Sequence, residues 1–161
     1  MHPFARPYPT RGQIVVNTRL PDPERHADFY ADVPLKRAIA WIVDTVLILA
    51  LTLLALPFTG FLALFFVGGL FLVIGFLYRW VSLARRSATP GMRLMAVQFR
   101  DGQGYDFDGG TAFAHTLGYT LSMAFVFPQL LSVALMLMSQ RKQGLTDLVL
   151  GTVVINRAAA V

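Results

Sequence analysis

The sequence predicts an all-α membrane protein with two transmembrane helices, a third embedded segment that is Pro-kinked or re-entrant, and short strand-like cytoplasmic pieces. Two observations lead to this fold class. Hydrophobic residues make up 55% of the 161 residues and charged residues only 14%, whereas soluble domains carry about 25% charged residues. Three long apolar segments also interrupt the polar sequence, each close to or above the ~20 residues that a helix needs to cross a bilayer.

Residues 1–34 are predicted to be an extended, Pro-rich cytoplasmic tail, and residues 35–157 to be the membrane domain. Six of the nine prolines lie in the tail, where they remove backbone donors and fix φ. No apolar core of a signal peptide follows a basic start. The run 13–17 fits a short strand, for which the sequence offers no obvious partner.

The first two apolar segments are predicted to be transmembrane helices. Residues 38–56 contain a single charge, Asp44, and residues 58–78 contain none. Tyr78 and Trp80 are suited to the lipid–water interface beside Arg79, since aromatic side chains concentrate there.

The third apolar segment, residues 111–138, contains no Asp, Glu, Lys or Arg. A helix of this length reaches about 42 Å at about 1.5 Å per residue, which is more than one straight crossing needs. Two full crossings do not fit, because each needs about 17–25 residues. Two alternatives stay open: a tilted span kinked at Pro128, and a re-entrant pair of half-helices that breaks near Pro128.

Basic residues predict the orientation. Five arginines lie in the connection 79–111, and Lys36 and Arg37 precede the first span. Because cytoplasmic loops carry the Lys/Arg excess, we predict a multi-pass protein of the cell membrane with a cytoplasmic N-terminus. The pieces 94–99 and 151–155 favour strands, and their pairing requires a cytoplasmic C-terminus. A single crossing by the third segment would instead place the C-terminus outside.

Asp44 is the candidate for chemistry within the membrane. An ionised aspartate in a span costs about 2.5–3.5 kcal/mol on insertion scales, and it normally faces the bundle interior, pairs, or lines an ion pathway. Arg37 lies on nearly the same helix face, about 10.5 Å away along the axis. Two interpretations stay open for Asp44. It anchors helix packing through a buried hydrogen bond, or it forms a proton or ion relay with His115, whose ordinary pKa is about 6.5.

Signatures of enzymes are absent from the sequence, which has no P-loop, no nucleophile elbow and no HExxH motif. The chain also lacks cysteine, so disulfides and thiolate metal sites are excluded. We therefore expect no enzyme activity, no cofactor and no metal. The net charge of +5 favours the lipid bilayer and its anionic headgroups as partners. We expect no binding of nucleic acid, because no recognition motif is present.

The landmarks of the sequence resemble those of the RDD family of integral membrane proteins. They are, in order, Lys36-Arg37-Ala38-Ile39-Ala40-Trp41, Asp44, Thr89-Pro90-Gly91, Arg100-Asp101-Gly102, Arg141-Lys142-Gln143, Asp147 and Gly151-Thr152-Val153-Val154. The resemblance covers roughly residues 35–156. It implies that Arg37, Asp44 and Asp147 are the arginine and two aspartates of the family name. Three positions depart from the family pattern: Met92 and Thr146 stand where lysine and histidine are frequent, and His115 lies near a frequent arginine.

The resemblance implies a small integral membrane protein that transports ions or small solutes, with Asp44 as the intramembrane titrating group. The alternative is a non-catalytic accessory or scaffold subunit of a larger membrane complex. Three segments are few for a transport pathway, so we expect a homo-oligomer or a partner membrane protein. With a cytoplasmic C-terminus, Asp147 is expected to approach Arg37 and tie the end of the chain to the first span.

Overall fold

The computed structural model describes residues 20–59 and 62–157. Short 3-10 turns lie at Ala27–Phe29, Pro57–Thr59 and Leu62–Phe66. The helices and strands are, in chain order, α1 (Val33–Ala55), α2 (Val67–Arg86), α3 (Pro90–Leu94), β1 (Val97–Arg100), α4 (Gly109–Ala124), α5 (Val126–Met138), α6 (Leu145–Leu150) and β2 (Val153–Asn156). The strand expected at residues 13–17 lies outside the described residues.

Among residues 20–59 and 62–157, two helices are long and apolar enough to cross a membrane, which confirms the two predicted spans. They lie within Ala27–Thr59, with a mean hydropathy of 2.5, and Leu64–Arg86, with a mean hydropathy of 2.0. The second helix differs from its predicted bounds, because the chain runs through 3-10 turns after Pro57 and α2 continues to Arg86. Cationic side chains in the last turn stabilise this continuation through the helix dipole.

The third apolar segment forms two helices, α4 and α5, which are bent by 117° with respect to each other. The break lies at Phe125, whose backbone is extended. Pro128 lies in the first turn of α5, where its missing N–H removes no intrahelical hydrogen bond. The sequence therefore placed the break three residues too late, at the proline.

The strands show that the bent pair returns to its starting end. β1 precedes α4, β2 follows α6, and the two strands pair antiparallel with Val97 opposite Asn156 and Phe99 opposite Val154. A single crossing would separate these strands by the thickness of the bilayer. The re-entrant alternative, with both strand-like pieces at one end of the molecule, is therefore the one that the chain adopts.

Residues 20–32 fold against β2, although the sequence predicted an extended tail there. Leu20 and Tyr30 are buried against Val153 and Ile155, and the Tyr30 hydroxyl donates to the Pro21 carbonyl at 2.8 Å. Prolines exclude long regular elements from this region, but they do not prevent its apolar side chains from packing.

Asn156 fastens the same region to the first helix. Its Nδ2 donates to the carbonyl oxygens of Asp28 at 2.8 Å and Ala31 at 2.9 Å. Its Oδ1 accepts a hydrogen bond of 2.8 Å from Nζ of Lys36. The end of β2 therefore fixes both the segment before α1 and the beginning of α1.

Candidate functional site

Asp44 is buried near the middle of α1, with 4% of its surface exposed. Its carboxylate accepts three hydrogen bonds: from the Tyr78 hydroxyl at 2.7 Å, from the Thr89 hydroxyl at 2.5 Å and from the Gly91 backbone N–H at 2.9 Å. All three donors are neutral. The carboxylate thus holds α2 and α3 against α1 without a cationic partner in this set.

The Thr89-Pro90-Gly91 motif begins the short helix α3. Thr89 is the N-cap of α3: its hydroxyl accepts a hydrogen bond of 3.2 Å from Met92 N–H while donating to Asp44. Pro90 occupies the first turn, where its fixed φ suits a helix. These residues aim the N-terminus of α3 at the carboxylate, a favourable position for negative charge.

Gly91 is required because α3 approaches the backbone of α1. A Cβ at this position would overlap the Ala40 carbonyl oxygen and would lie 2.8 Å from Oδ1 of Asp44. Its backbone N–H reaches the carboxylate only because no side chain separates the two helices. Glycine is therefore needed at position 91 for the close packing of α3 on α1, which the sequence did not reveal.

Asp147 is the second buried aspartate, and its surface is fully inaccessible. Its carboxylate accepts hydrogen bonds from Arg37 Nη1 at 2.5 Å, His115 Nε2 at 2.9 Å, Gly144 N–H at 3.0 Å and the Thr152 hydroxyl at 3.2 Å. The expected approach of Asp147 to Arg37 is thus confirmed. Asp147 lies in the first turn of α6, so the hydrogen bond that its carboxylate accepts from the Gly144 N–H also caps this helix.

The environment of Asp147 favours its charged form. Burial raises the pKa of this carboxyl, but the Arg37 guanidinium and the hydrogen bond from His115 lower it, and the net result is a pKa well below the ordinary value of 3.8. Asp147 is therefore ionised at neutral pH and neutralised by Arg37. Asp147 and Arg37 therefore form a structural ion pair, in which Asp147 keeps its charge near pH 7.

His115 belongs to the Asp147 cluster. Its ring, 5% exposed, packs edge-on against Phe99 with centroids 4.4 Å apart and lies 5.7 Å from the Phe107 ring. Its hydrogen bond runs to Asp147, while those of Asp44 run to α2 and α3. The structure does not bring the proposed relay partners Asp44 and His115 together, because His115 faces the start of α1 rather than its middle.

The signature residues therefore form two clusters that share α1. The Arg37–Asp147 pair joins the N-terminal part of α1 to α6. The hydrogen bonds of Asp44 join the middle of α1 to α2 and α3. The sequence did not reveal that Tyr78 and Thr152 donate hydrogen bonds to these carboxylates. Tyr78 lies 34 residues from Asp44, and Thr152, five residues after Asp147, lies beyond the end of α6. Within residues 20–59 and 62–157, no three His, Asp or Glu side chains are grouped so that they could hold a metal ion.

Comparisons with known proteins agree with this pattern. The family model described as RDD family matches residues 32–151, a range that contains both aspartates and all of their hydrogen-bond partners except Thr152. Neither the curated proteins nor the solved structures give a match. Since the family model covers most of the chain, and its spans and bent helix pair are those of a membrane protein, this chain belongs to the RDD family.

Proposed function

We propose that the protein exchanges protons or a monovalent cation across the membrane, with Asp44 as the exchanging group. The observation that supports this proposal is the difference between the two buried aspartates. Asp147 is paired with Arg37 at 2.5 Å, whereas Asp44 receives only the neutral donors of Tyr78, Thr89 and Gly91. A carboxylate without a fixed counter-ion can be neutralised by a proton or a small cation.

The position of Asp44 suits this role. It lies near the middle of the 23-residue helix α1, where acidic groups are expensive and commonly mark ion pathways. A structural hydrogen bond could be supplied there by an uncharged side chain such as asparagine. An experiment must therefore decide whether transport requires a carboxylate at position 44.

A complete pathway requires more than one copy of the chain or a partner membrane protein. Two spans and one re-entrant pair leave large apolar side chains exposed on α5, including Phe127 at 84% and Met138 at 83%. We propose that a homo-oligomer encloses the pathway, with the exposed helix faces contacting lipid or a neighbouring subunit.

Flux measurements in proteoliposomes test the proposal. Purified wild type, Asp44→Asn and the control Asp106→Asn are reconstituted at matched folded yield, and proton movement is recorded under sodium and potassium gradients. Asp106 is 67% exposed in a loop, so its variant makes the same chemical change outside the helices. We expect flux in the wild type and the control, and none in Asp44→Asn. Equal flux in all three proteins would refute the role of Asp44.

The second candidate is an accessory or scaffold subunit. It is favoured by α5, none of whose residues is buried by its own chain. Absence of flux from well-folded wild type under every gradient would support this candidate, and a stable membrane complex isolated with the protein would then identify its partner.

A further inference from the structure

The Arg79 side chain, in the second half of α2, reaches back towards the middle of the helix. Its Nη1 is 3.5 Å from the position that a Cβ on Gly75 would occupy, and the same position is 3.5 Å from Cγ2 of Ile48. The side chain therefore folds back along α2 by one turn. Its guanidinium reaches the level of Ile48, which lies one turn beyond Asp44 on α1.

Helix geometry explains this direction. Side chains on a helix tilt towards its N-terminus, and α2 begins at the end of the molecule opposite to its terminal arginines, Arg85 and Arg86. Arg79 is thus directed away from the polar end, although the sequence predicted an interfacial position beside Tyr78 and Trp80. A cation at this depth requires a partner, because lipid does not solvate it.

The neighbours of Arg79 supply aromatic and hydroxyl groups. Its Cζ lies 4.8 Å from the centroid of the Tyr119 ring, and the Tyr119 hydroxyl accepts a hydrogen bond of 2.6 Å from Nε1 of Trp41. Trp41 is on α1 and Tyr119 on α4, and both helices pack on α2. These three side chains meet beside α2, where the hydrogen bond between Trp41 and Tyr119 joins α1 to α4.

Carboxylates of the protein do not neutralise this guanidinium in the part of the chain that the structure describes. The arginine ion pairs found there join Arg37 to Asp147 and Arg100 to Asp106. Asp44 is the one acidic residue within α1, α2, α4 and α5, and the ion pairs of the described residues do not join it to Arg79.

We propose that Arg79 and the hydroxyl of Tyr119 bind an oxyanion of the phosphate class beside α2, where the hydrogen bond between Trp41 and Tyr119 joins α1 to α4. The guanidinium presents paired N–H donors that match phosphate oxygens. The Tyr119 hydroxyl, whose oxygen accepts from Trp41, keeps its proton to donate. The proposal goes beyond ion exchange at Asp44 and does not depend on it.

Two sources can supply this phosphate group: the headgroup of an anionic lipid, or free phosphate in water. Purified full-length protein in a non-ionic, phosphate-free detergent distinguishes them. One arm titrates phosphatidylglycerol and counts bound lipid by native mass spectrometry. The other arm titrates radiolabelled inorganic phosphate and measures equilibrium binding.

The variants are Arg79→Gln, Tyr119→Phe and the control Arg86→Gln, which removes an exposed arginine from the last turn of the same helix. Loss of a charge-assisted donor predicts binding weakened about tenfold or more in Arg79→Gln, and about fivefold in Tyr119→Phe. Arg86→Gln should stay within about twofold of wild type. Arg79→Lys, which keeps the charge without the planar fork, should give an intermediate value.

The outcomes separate cleanly. Lipid binding that depends on Arg79 identifies a headgroup site, and phosphate binding that depends on Arg79 identifies a soluble anion. Failure of wild type to bind either probe would overturn the proposal, as would equal weakening by Arg79→Gln and Arg86→Gln. Flux through Asp44 is measured separately, so failure of one proposal leaves the other standing.

Discussion

Nη1 of Arg37 donates to Oδ2 of Asp147 over 2.5 Å, although the two residues are 110 positions apart in the chain. This ion pair joins the beginning of the first span to the helix that follows the re-entrant pair. Since Asp147 is inaccessible and the Arg37 side chain is 18% exposed, the pair is largely shielded from water. Removing one partner therefore costs more than it does in a surface pair, because the other charge is left buried and unpaired.

Asp147→Asn should destabilise the protein strongly, because it leaves the Arg37 guanidinium without its counter-ion. We expect a loss near the lower end of the about 3–5 kcal/mol typical of a broken buried pair. Thermal unfolding in detergent and folded yield measure the effect. Asp106→Asn, which breaks the exposed pair with Arg100, is the control and should change stability by about 1 kcal/mol or less. Equal melting temperatures for the two variants would contradict this assignment.

Acid should remove the contribution of Asp147. Its pKa lies below 3.8 in the folded protein, so the unfolded chain takes up the proton first as the pH falls. The stabilisation is complete above the ordinary value and declines as the pH falls below about 4 towards the folded pKa. The difference in melting temperature between wild type and Asp147→Asn should therefore shrink between pH 6 and pH 3. A difference independent of pH would indicate that packing, and not charge, stabilises the cluster.

Gly91→Ala should separate α3 from α1, since the added Cβ would overlap the Ala40 carbonyl oxygen and crowd Asp44. Overpacking of this kind costs about 1–3 kcal/mol or more. Gly109→Ala is a matched control in a helical first turn, because a Cβ there meets nothing within 4 Å. Unfolding in detergent should distinguish the two alanine variants. A Gly91→Ala protein as stable as Gly109→Ala would show that α3 moves without penalty.

Thr89→Val should weaken the Asp44 cluster through two lost hydrogen bonds. The hydroxyl donates to Asp44 and caps α3 by accepting from Met92 N–H, and loss of such a cap alone costs about 1 kcal/mol. Thr89→Ser keeps the hydroxyl and should retain most of the stability. Similar unfolding of the valine and serine variants would mean that the methyl group, rather than the hydroxyl, matters at this position.

Cysteine labelling tests the topology, and the chain has no native cysteine to interfere. Gln103→Cys and Gln140→Cys lie at the end that carries β1 and β2, whereas Phe58, 92% exposed, lies at the opposite end of α1. An impermeant maleimide should label Phe58→Cys in intact cells and the other two positions only after permeabilisation. Labelling of Gln140→Cys together with Phe58→Cys would contradict the re-entrant arrangement.

The sequence predicted what depends on composition and local pattern. The spans follow from apolar runs, and the pairing of β1 with β2 follows from two β-branched or apolar pieces that lack other partners. The ligands of Asp44 could not be predicted, because Tyr78 and Thr89 lie 34 and 45 residues away and reach it only after α2 and α3 pack on α1.

The position of the break in the third apolar segment could not be predicted for a different reason. Proline was the visible signal, yet the chain turns at Phe125, and Pro128 fits the first turn of the next helix. The turn is held from outside the segment: Ser132 accepts a hydrogen bond of 3.0 Å from Leu145 N–H, and a Cβ on Gly118 would lie 2.8 Å from Thr146 Cγ2. Such contacts belong to tertiary structure and leave no periodic signature.

The contacts of Arg37 and Lys36 with residues near the other end of the fold also determine when the membrane domain can be completed during synthesis. Arg37 and Lys36 emerge from the ribosome before their partners Asp147 and Asn156, which are translated 110 and 120 residues later at roughly 5–20 residues per second. The first span therefore spends several seconds in the bilayer without these two contacts. A nascent chain truncated before Asp147 cannot form the ion pair with Arg37, and it should be a preferred substrate of membrane quality-control proteases.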